Sequence, residues 1–242
     1  MVTYVLVHGA WQGATTWERV VPLLLQAGHR VFTPTLTGLG SRGHQLTRSV
    51  DLSTHIQDVL GLLKYENLQE AILVGHSYAG MVISGVAEEA AERISHLVYI
   101  DAFVPVDGAS ALSLMPQKFQ DAFRDQAKTL GDGWRLPGFE KRLHLWGLKE
   151  GPDRDFVRSK LCDFSLTCFE QPVKLPRNAL STLDKTYVAC VAEGYPARPV
   201  FQSFADRAKR EGWGYHELAT GHDCQVEKAG ELARILLSAT YK

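Results

Sequence analysis

Ser77 stands in the stretch LVGHSYAG, residues 73–80, where an apolar run ends in a serine between small residues. Gly75, Ala79 and Gly80 permit a sharp turn from a strand into a helix, because bulky side chains there would collide with neighbouring backbone. Such a turn exposes the hydroxyl in a cleft and directs backbone N–H groups at a substrate. The spacing predicts a nucleophile at Ser77, and a phosphate-binding or packing turn is the alternative with the same small residues.

A serine hydroxyl is a weak nucleophile until a base takes its proton, and His222, in ATGHDCQVE, is the candidate base. It follows the last predicted strand and precedes the last predicted helix, which places it at the carboxyl edge where parallel sheets bind ligands. His8 and His76 adjoin the site, but each lies within a tight turn. The remaining six histidines lie in or beside predicted elements, in a long irregular region, or in a loop rich in Gly and Arg.

Negative charge that develops on an attacked carbonyl oxygen requires hydrogen-bond donors that are already in place. The first predicted strand ends in HGAWQGATTW, residues 8–17, a Gly-containing loop that can present a backbone N–H. We predict an oxyanion hole from the amides of Ala10 and Tyr78. Such donors stabilise charge that exists only in the tetrahedral intermediate, so they lower the barrier. An ordinary turn between strand and helix is the alternative.

The elements that must position these residues alternate between short apolar runs and helical patterns. Strands are predicted at 4–8, 30–33, 71–74, 97–101, 185–189 and 215–218. Between them lie segments with apolar residues at helical spacing, such as TTWERVVPLLLQAG and MVISGVAEEAAERI. The alternation predicts an α/β fold with a mostly parallel sheet and helices on both faces.

The alternation fails between residues 104 and 183, which are rich in Phe, Trp and Leu and interrupted by Gly and Pro. A structureless loop of that length is rare inside a compact domain. We therefore expect a helical cap insertion folded over one end of the sheet. No linker, repeat or low-complexity tract divides the chain, so residues 1–242 are predicted to form one domain.

Composition limits the classes of partner. The chain has 242 residues, 45% of them hydrophobic, and a formal net charge of −1 without a basic stripe, which argues against nucleic acid and anionic membranes. The four cysteines follow no metal or redox spacing, so reduced thiols are expected. No signal segment or membrane-length apolar run is apparent, and a cytoplasmic location is expected. A homodimer and a monomer both remain open.

Five segments in order, VLVHGAWQGATTW, TPTLTGLGSR, LVGHSYAG, LVYIDAFVP and ATGHD, resemble the α/β-hydrolase superfamily. More narrowly, they resemble the branch of plant methyl esterases, hydroxynitrile lyases and related bacterial carboxylesterases. The resemblance covers nearly the whole chain and is weakest across 104–183, which corresponds to the family's cap. It implies the α/β-hydrolase fold, a triad in the chain order Ser, acid, His, and no metal or organic cofactor.

The resemblance also bears on the acid that orients the histidine. In related sequences an aspartate follows the strand that KTYVA resembles, and this pattern places Glu193, in CVAEGYP, at that position. Asp101 is the rival, because it ends the fourth predicted strand, where some hydrolases place their acid. Asp206 and Asp223 are weaker candidates. Asp223 adjoins the predicted base in sequence, so its carboxylate is not expected to reach the far ring nitrogen.

Two positions separate the activities within the branch. The lyases that resemble this chain carry a threonine in the oxyanion loop and a lysine after the catalytic histidine, where this chain has Gly9 and Asp223. A carboxylate at position 223 would repel cyanide, so the resemblance favours a serine hydrolase. The expected substrates are esters with small to medium apolar acyl or aryl groups. Trp11 and Phe103 are predicted substrate contacts, with core packing as the alternative.

Other activities on the same scaffold stay open at this stage: hydroxynitrile lyase, cofactor-free dioxygenase, polyketide-tailoring enzyme, and non-catalytic ligand binding.

Overall fold

A parallel six-stranded sheet forms the centre of the computed structural model, which describes residues 1–238. The strands in chain order are β1 (Thr3–Val7), β2 (Arg30–Phe32), β3 (Ala71–His76), β4 (Ile94–Ile100), β5 (Arg135–Leu136), β6 (Phe164–Ser165), β7 (Asp184–Cys190) and β8 (Gly214–Leu218). The main sheet has the order β2-β1-β3-β4-β7-β8, and β5 and β6 form a separate antiparallel pair. All six predicted strands and the α/β-hydrolase fold class are confirmed.

Helices cover both faces of the sheet. They are α1 (Val21–Gln26), α2 (Leu52–Tyr65), α3 (Ala79–Ala90), α4 (Gln117–Leu130), α5 (Lys141–Leu145), α6 (Pro152–Lys160), α7 (Leu166–Glu170), α8 (Arg198–Arg210), α9 (Cys224–Glu227) and α10 (Ala229–Ser238). Within residues 1–238, none of them combines the length and the apolar character needed to span a membrane.

Two apolar clusters sandwich the sheet, and the two-residue period of the strands divides side chains between them. In β1, Val5 and Val7 point into the cluster that contains α2, α3 and α8. Tyr4 and Leu6 point into the opposite cluster, which contains α1 and α10. Burial on both faces explains why the central strands β1 and β3 are nearly continuous apolar runs and not alternating patterns.

The segment between β4 and β7 contains the short β5–β6 pair and helices α4 to α7. We call residues 104–183 the cap segment. Most of its aromatic side chains lie in or against the same apolar cluster as the sheet residues below. Trp11, at the end of β1, contacts the rings of Phe123, Phe164 and Phe169 at centroid distances of 5.4–5.7 Å. The Trp11 indole also donates to the Leu136 carbonyl over 2.9 Å, which joins the cap segment to the sheet edge.

The turn from β3 into α3 lies against the chain that follows β4. A Cβ atom on Gly80 would lie 2.0 Å from the Phe103 carbonyl oxygen and 3.1 Å from Ala102 Cβ. Phe103 N donates to the Ser77 carbonyl over 3.2 Å, so the two loops are fixed to each other. Glycine at position 80 is therefore required by close backbone approach.

We predict that Gly80→Ala lowers the free energy of unfolding by about 3 kcal/mol or more, because the new methyl group overlaps a backbone carbonyl that cannot move independently. Gly61→Ala is the matched control. Gly61 lies on the exposed side of α2, where an added Cβ atom would meet nothing within 4 Å, and its replacement should raise stability by about 0.5–1 kcal/mol. Urea titrations measure both changes. Equal stability of the two variants would contradict the tight packing of this turn.

Candidate active site

Ser77 occupies the sharp turn between β3 and α3. Its φ is +58°, a left-handed conformation that is uncommon for serine, and its amide donates to the Ile100 carbonyl over 3.1 Å. Trp11 and Asp101 follow β1 and β4 and also have positive φ, +62° and +41°. Three neighbouring strands thus end in strained residues at one sheet edge, an arrangement found at functional sites.

His222 lies in the loop between β8 and α9 and is 3% exposed. Its Nδ1 is 2.7 Å from Asp101 Oδ2, and both side chains are buried. A carboxylate can only accept a hydrogen bond, so Nδ1 carries the proton and Nε2 is left as an acceptor. A histidine in this tautomer can take a proton from a serine hydroxyl.

The pairing corrects the predicted choice of acid. Glu193 is exposed and, among the described residues, makes no hydrogen bond to His222. The loop after β7 instead contributes Tyr195, two residues further on, which is buried. Its hydroxyl donates to Asp101 Oδ2 over 2.8 Å and lies 3.0 Å from His222 Nδ1. The carboxylate at the end of β4 therefore occupies the position that the family pattern assigned to the loop after β7.

The other two candidate acids, Asp223 and Asp206, are hydrogen-bonded to glutamine side chains. Asp223 is fully buried and accepts from Gln12 Nε2 at 2.6 Å and from Gln225 Nε2 at 3.0 Å. Burial raises the pKa of its carboxyl group, and the neighbouring His222 opposes that shift. Asp206 is exposed on α8 and accepts from Gln202. Neither carboxylate is hydrogen-bonded to His222 within the described part of the chain.

The amides of Ala10 and Tyr78 are available as donors. Within residues 1–238, neither N–H group has a hydrogen-bond acceptor. A Cβ on Gly9, the residue before Ala10, would lie 3.0 Å from Ser77 Cβ and 3.1 Å from His76 Nδ1, so the loop after β1 passes directly beside the serine. Tyr78 contributes only its backbone here, because its buried hydroxyl is hydrogen-bonded to His55 Nδ1 at 3.1 Å.

Buried neutral histidines hold the loops of this edge. His8 accepts from the Leu36 amide and has its Nδ1 2.9 Å from the Gly9 carbonyl, and burial lowers its pKa to about 4. His76 Nε2 donates to the His222 carbonyl over 2.9 Å, and burial keeps its pKa well below the usual range. Both rings serve as fixed hydrogen-bonding groups that orient the loops of the site.

Ser77 and His222 open onto one cavity of about 70 Å³ under the cap segment. Its remaining lining residues are Trp11, Phe103, Met115, Phe119, Phe123, Arg142, Leu145, Trp146, Phe169, Ala197, Val200 and Phe201. Both predicted substrate contacts, Trp11 and Phe103, thus lie at the cavity wall. Two residues of this site, Tyr195 and Arg142, are not among those predicted from the sequence. The only sequence feature that points to either of them is that Tyr195 lies in the same predicted loop as Glu193.

The cap segment is hydrogen-bonded to the loop that carries His222 on one side of this cavity. The Trp146 carbonyl accepts from the His222 amide over 2.8 Å, and a Cβ on Gly221 would lie 2.3 Å from that carbonyl oxygen. Among the described residues, no group of three or more His, Cys, Asp or Glu side chains is arranged to hold a metal ion.

We predict that Tyr195→Phe lowers the free energy of unfolding by about 1–3 kcal/mol, because the buried Asp101 carboxylate loses the hydroxyl that donates to it. Burial holds the pKa of Tyr195 well above its usual value, so the hydroxyl remains a donor to Asp101. The control is Tyr65→Phe, at an exposed position, which should change stability by less than about 0.5 kcal/mol. Urea titrations measure both changes, and equal stability of the two variants would contradict the role of this hydrogen bond.

Comparisons with known proteins identify the family of the chain. Residues 4–235 match the model of the "Alpha/beta hydrolase family". The chain is 37% identical over 246 residues to a carbendazim hydrolyzing esterase from Nocardioides sp. (strain SG-4G), covering 98% of each chain. It is also 37% identical over 162 residues to salicylic acid-binding protein 2 of Nicotiana tabacum, covering 65% of this chain and 59% of that protein.

Among solved structures, an extracellular alpha/beta-hydrolase from a Paenibacillus species superposes with a TM-score of 0.88 at 21% identity, covering 99% of each chain. That likeness concerns the fold. Together with the family match and the full-length bacterial relative, it confirms the resemblance noted in the sequence. The chain belongs to the alpha/beta hydrolase family.

Proposed function

We propose that the protein is a serine esterase that cleaves carboxylic esters through Ser77, His222 and Asp101. The observation that carries the proposal is the 2.7 Å contact between His222 Nδ1 and Asp101 Oδ2, beside a strained serine that opens onto the same cavity. The contact fixes the imidazole tautomer whose Nε2 can accept a proton. Esterase activity is also named for the Nocardioides relative.

In the proposed reaction, the Ser77 hydroxyl adds to the ester carbonyl while His222 takes its proton. The resulting oxyanion accepts hydrogen bonds from the amides of Ala10 and Tyr78, which have no acceptor among residues 1–238. The tetrahedral intermediate then expels the alkoxide, which takes the proton from His222, and an acyl-enzyme remains. Water attacks the acyl group by the same steps in the second half of the cycle and regenerates the free serine.

Asp101 acts through His222. It holds Nδ1–H, and its negative charge stabilises the imidazolium that forms while the serine attacks. Asp101 Oδ1 is 3.4 Å from the Cys190 amide, and Oδ2 accepts from Tyr195, so the carboxylate is fixed by the end of β7 and by the loop that follows it. A fixed carboxylate does not have to reorganise as charge develops, and this lowers the barrier.

The cavity favours small to medium esters whose acyl or aryl part is apolar. Its wall is mainly aromatic and aliphatic, and its volume of about 70 Å³ limits the size of that part of the substrate. The Nocardioides relative is named for its own substrate, which is not assigned to this chain. The substrate class proposed for this chain is inferred from the residues of the cavity wall.

Two features weigh against the hydroxynitrile lyase alternative. A side chain at position 9 would press on Ser77 Cβ and His76 Nδ1, which leaves no room for the threonine of the related lyases in the present backbone. Asp223 is buried and hydrogen-bonded to Gln12, and it cannot replace the cation that those lyases place after the histidine. Hydrolysis is therefore the better assignment.

Hydrolysis of 4-nitrophenyl acetate and butyrate by the wild type and by Ser77→Ala tests the proposal. We expect the wild type to turn over both esters and Ser77→Ala to lose at least about 10⁴-fold in kcat, with unchanged circular dichroism. Ser84→Ala is the control, because Ser84 is a buried serine of α3 that is hydrogen-bonded to Gly80 and Tyr99. Equal rates for Ser77→Ala and the wild type would refute the assignment.

A further inference from the structure

One charged side chain lies in the otherwise apolar part of the cavity wall. Arg142, on α5 of the cap segment, lines the cavity together with Ser77 and His222. The residue is only 5% exposed. Its guanidinium carbon lies 3.6 Å from the centroid of the Trp11 ring and 5.5 Å from that of Phe123. Arginine at such a depth is uncommon unless its charge has a partner.

The partners of Arg142 within the protein are all neutral. Nη2 donates to Gln126 Oε1 at 2.7 Å and to the Pro137 carbonyl at 3.1 Å, and Nε donates to the same carbonyl at 3.3 Å. Among the described residues, no carboxylate oxygen lies within 4.0 Å of the guanidinium, and Nη1 has no acceptor. Arg142 therefore lines the cavity with one nitrogen whose two N–H groups have no acceptor among the described residues.

The charge persists at neutral pH. Burial lowers the pKa of Arg142 to about 9, and the opposing attraction of Asp163 is smaller. Asp163 is half-buried and already bound to Arg135 at 2.9 Å. A buried cation without a counter-ion is costly, and an anion brought into the cavity would offset that cost. The planar arrangement of N–H donors on a guanidinium matches the geometry of the two oxygens of a carboxylate.

On the basis of the proposed esterase function, we propose that Arg142 binds a carboxylate at the distal end of the substrate's acyl group. The preferred substrates are then half-esters of dicarboxylic acids: the ester end lies at Ser77, an apolar chain contacts the aromatic wall, and the free carboxylate lies at Nη1. Arg142 acts as a specificity residue. A purely structural role, in which the guanidinium only stacks on Trp11, would change the hydrolysis of all esters by the same factor.

Two esters of equal chain length separate these roles: mono-4-nitrophenyl adipate, which ends in a carboxylate, and 4-nitrophenyl hexanoate, which does not. We expect the wild type to favour the adipate in kcat/KM by about tenfold or more, as a charge-assisted hydrogen bond in an apolar site would give. Arg142→Met should bring the ratio of the two kcat/KM values to about one, whatever its effect on the hexanoate alone. Arg142→Lys should keep part of the preference.

Arg158→Met is the matched control, since Arg158 is a half-exposed arginine of the cap segment that binds Glu140. It should leave both rates unchanged. Should Arg142→Met fail to fold, inhibition of 4-nitrophenyl acetate hydrolysis decides the question: adipate should inhibit the wild type at a concentration at least about tenfold lower than neutral adipamide, and Arg142→Lys should reduce that difference.

An unchanged ratio of the two esters in folded Arg142→Met, or equal inhibition by adipate and adipamide, would overturn the role of Arg142 and leave the esterase assignment intact. Absence of turnover of every 4-nitrophenyl ester by the wild type would overturn the esterase assignment and this inference with it.

Discussion

Asp101→Asn is expected to lower kcat for 4-nitrophenyl ester hydrolysis by about 10³–10⁴-fold while leaving the fold intact. Asparagine tolerates the positive φ of +41° at this position, so the backbone can stay in place. The amide oxygen can still accept from the Cys190 amide, as Oδ1 does. The amide nitrogen, however, would then donate to His222 Nδ1. The imidazole proton would move to Nε2, and the base would be unable to accept a proton from Ser77.

Glu193→Gln is the matched control for this prediction, because the family pattern names Glu193 as the acid. The side chain is exposed, so its neutral analogue should change kcat by less than about twofold. Parallel kinetics of the two variants at several pH values provide the comparison. A large loss in Glu193→Gln together with a small loss in Asp101→Asn would reverse the assignment of the acid.

His222→Ala is expected to lower kcat by about 10⁴–10⁶-fold, because the serine then has no base. No other histidine is placed to compensate. His76 packs against the His222 ring at a centroid distance of 4.5 Å, but its Nε2 is bonded to the His222 carbonyl and burial lowers its pKa. His8 and His55 are buried and are bonded to the Gly9 and Thr37 carbonyls.

The control for His222→Ala is His44→Ala, since His44 is exposed in the loop that follows β2. This variant should keep full activity. Both variants should show the circular dichroism of the wild type. Residual turnover above about one hundredth of the wild-type rate in His222→Ala would show that another group acts as the base.

The positions of the serine and histidine could be predicted from the sequence for a simple reason. In a parallel sheet all strands end at one edge, so two residues that follow different strands meet there whatever their separation along the chain. Ser77 follows β3 and His222 follows β8. The small residues around Ser77 indicate the sharp turn itself, and the close approach of Gly80 to the Phe103 carbonyl gives the physical reason.

The acid could not be chosen on the same grounds, because Asp101 and Glu193 both follow strands that end at this edge. The choice depends on the direction of each loop. After β4 the chain turns at Asp101, which has a positive φ, and the Asp101 carboxylate is hydrogen-bonded to His222. After β7 the loop places Glu193 in solvent and turns Tyr195 inward. Such directions follow from tertiary packing, which neither periodicity nor spacing encodes.

The sequence indicates even less about which side chains of the cap segment face the cavity. Its aromatic composition indicates burial, but not which rings face the substrate. Arg142 occurs in KRLHL, a short helix that also carries exposed Lys141 and His144, so composition would place its side chain in solvent. The burial of Arg142 depends on contacts with Trp11, Gln126 and Pro137, residues of three separate segments.

The most direct test of the central claim, that Ser77 is the nucleophile, is the mass of the protein after reaction with diethyl 4-nitrophenyl phosphate. This reagent transfers a diethylphosphoryl group to an activated serine and releases 4-nitrophenolate. We predict one phosphoryl group per chain, a matching amount of 4-nitrophenolate, and a modified peptide that contains Ser77. Ser77→Ala should remain unmodified. An unmodified wild type, or the same adduct in wild type and Ser77→Ala, would contradict the account.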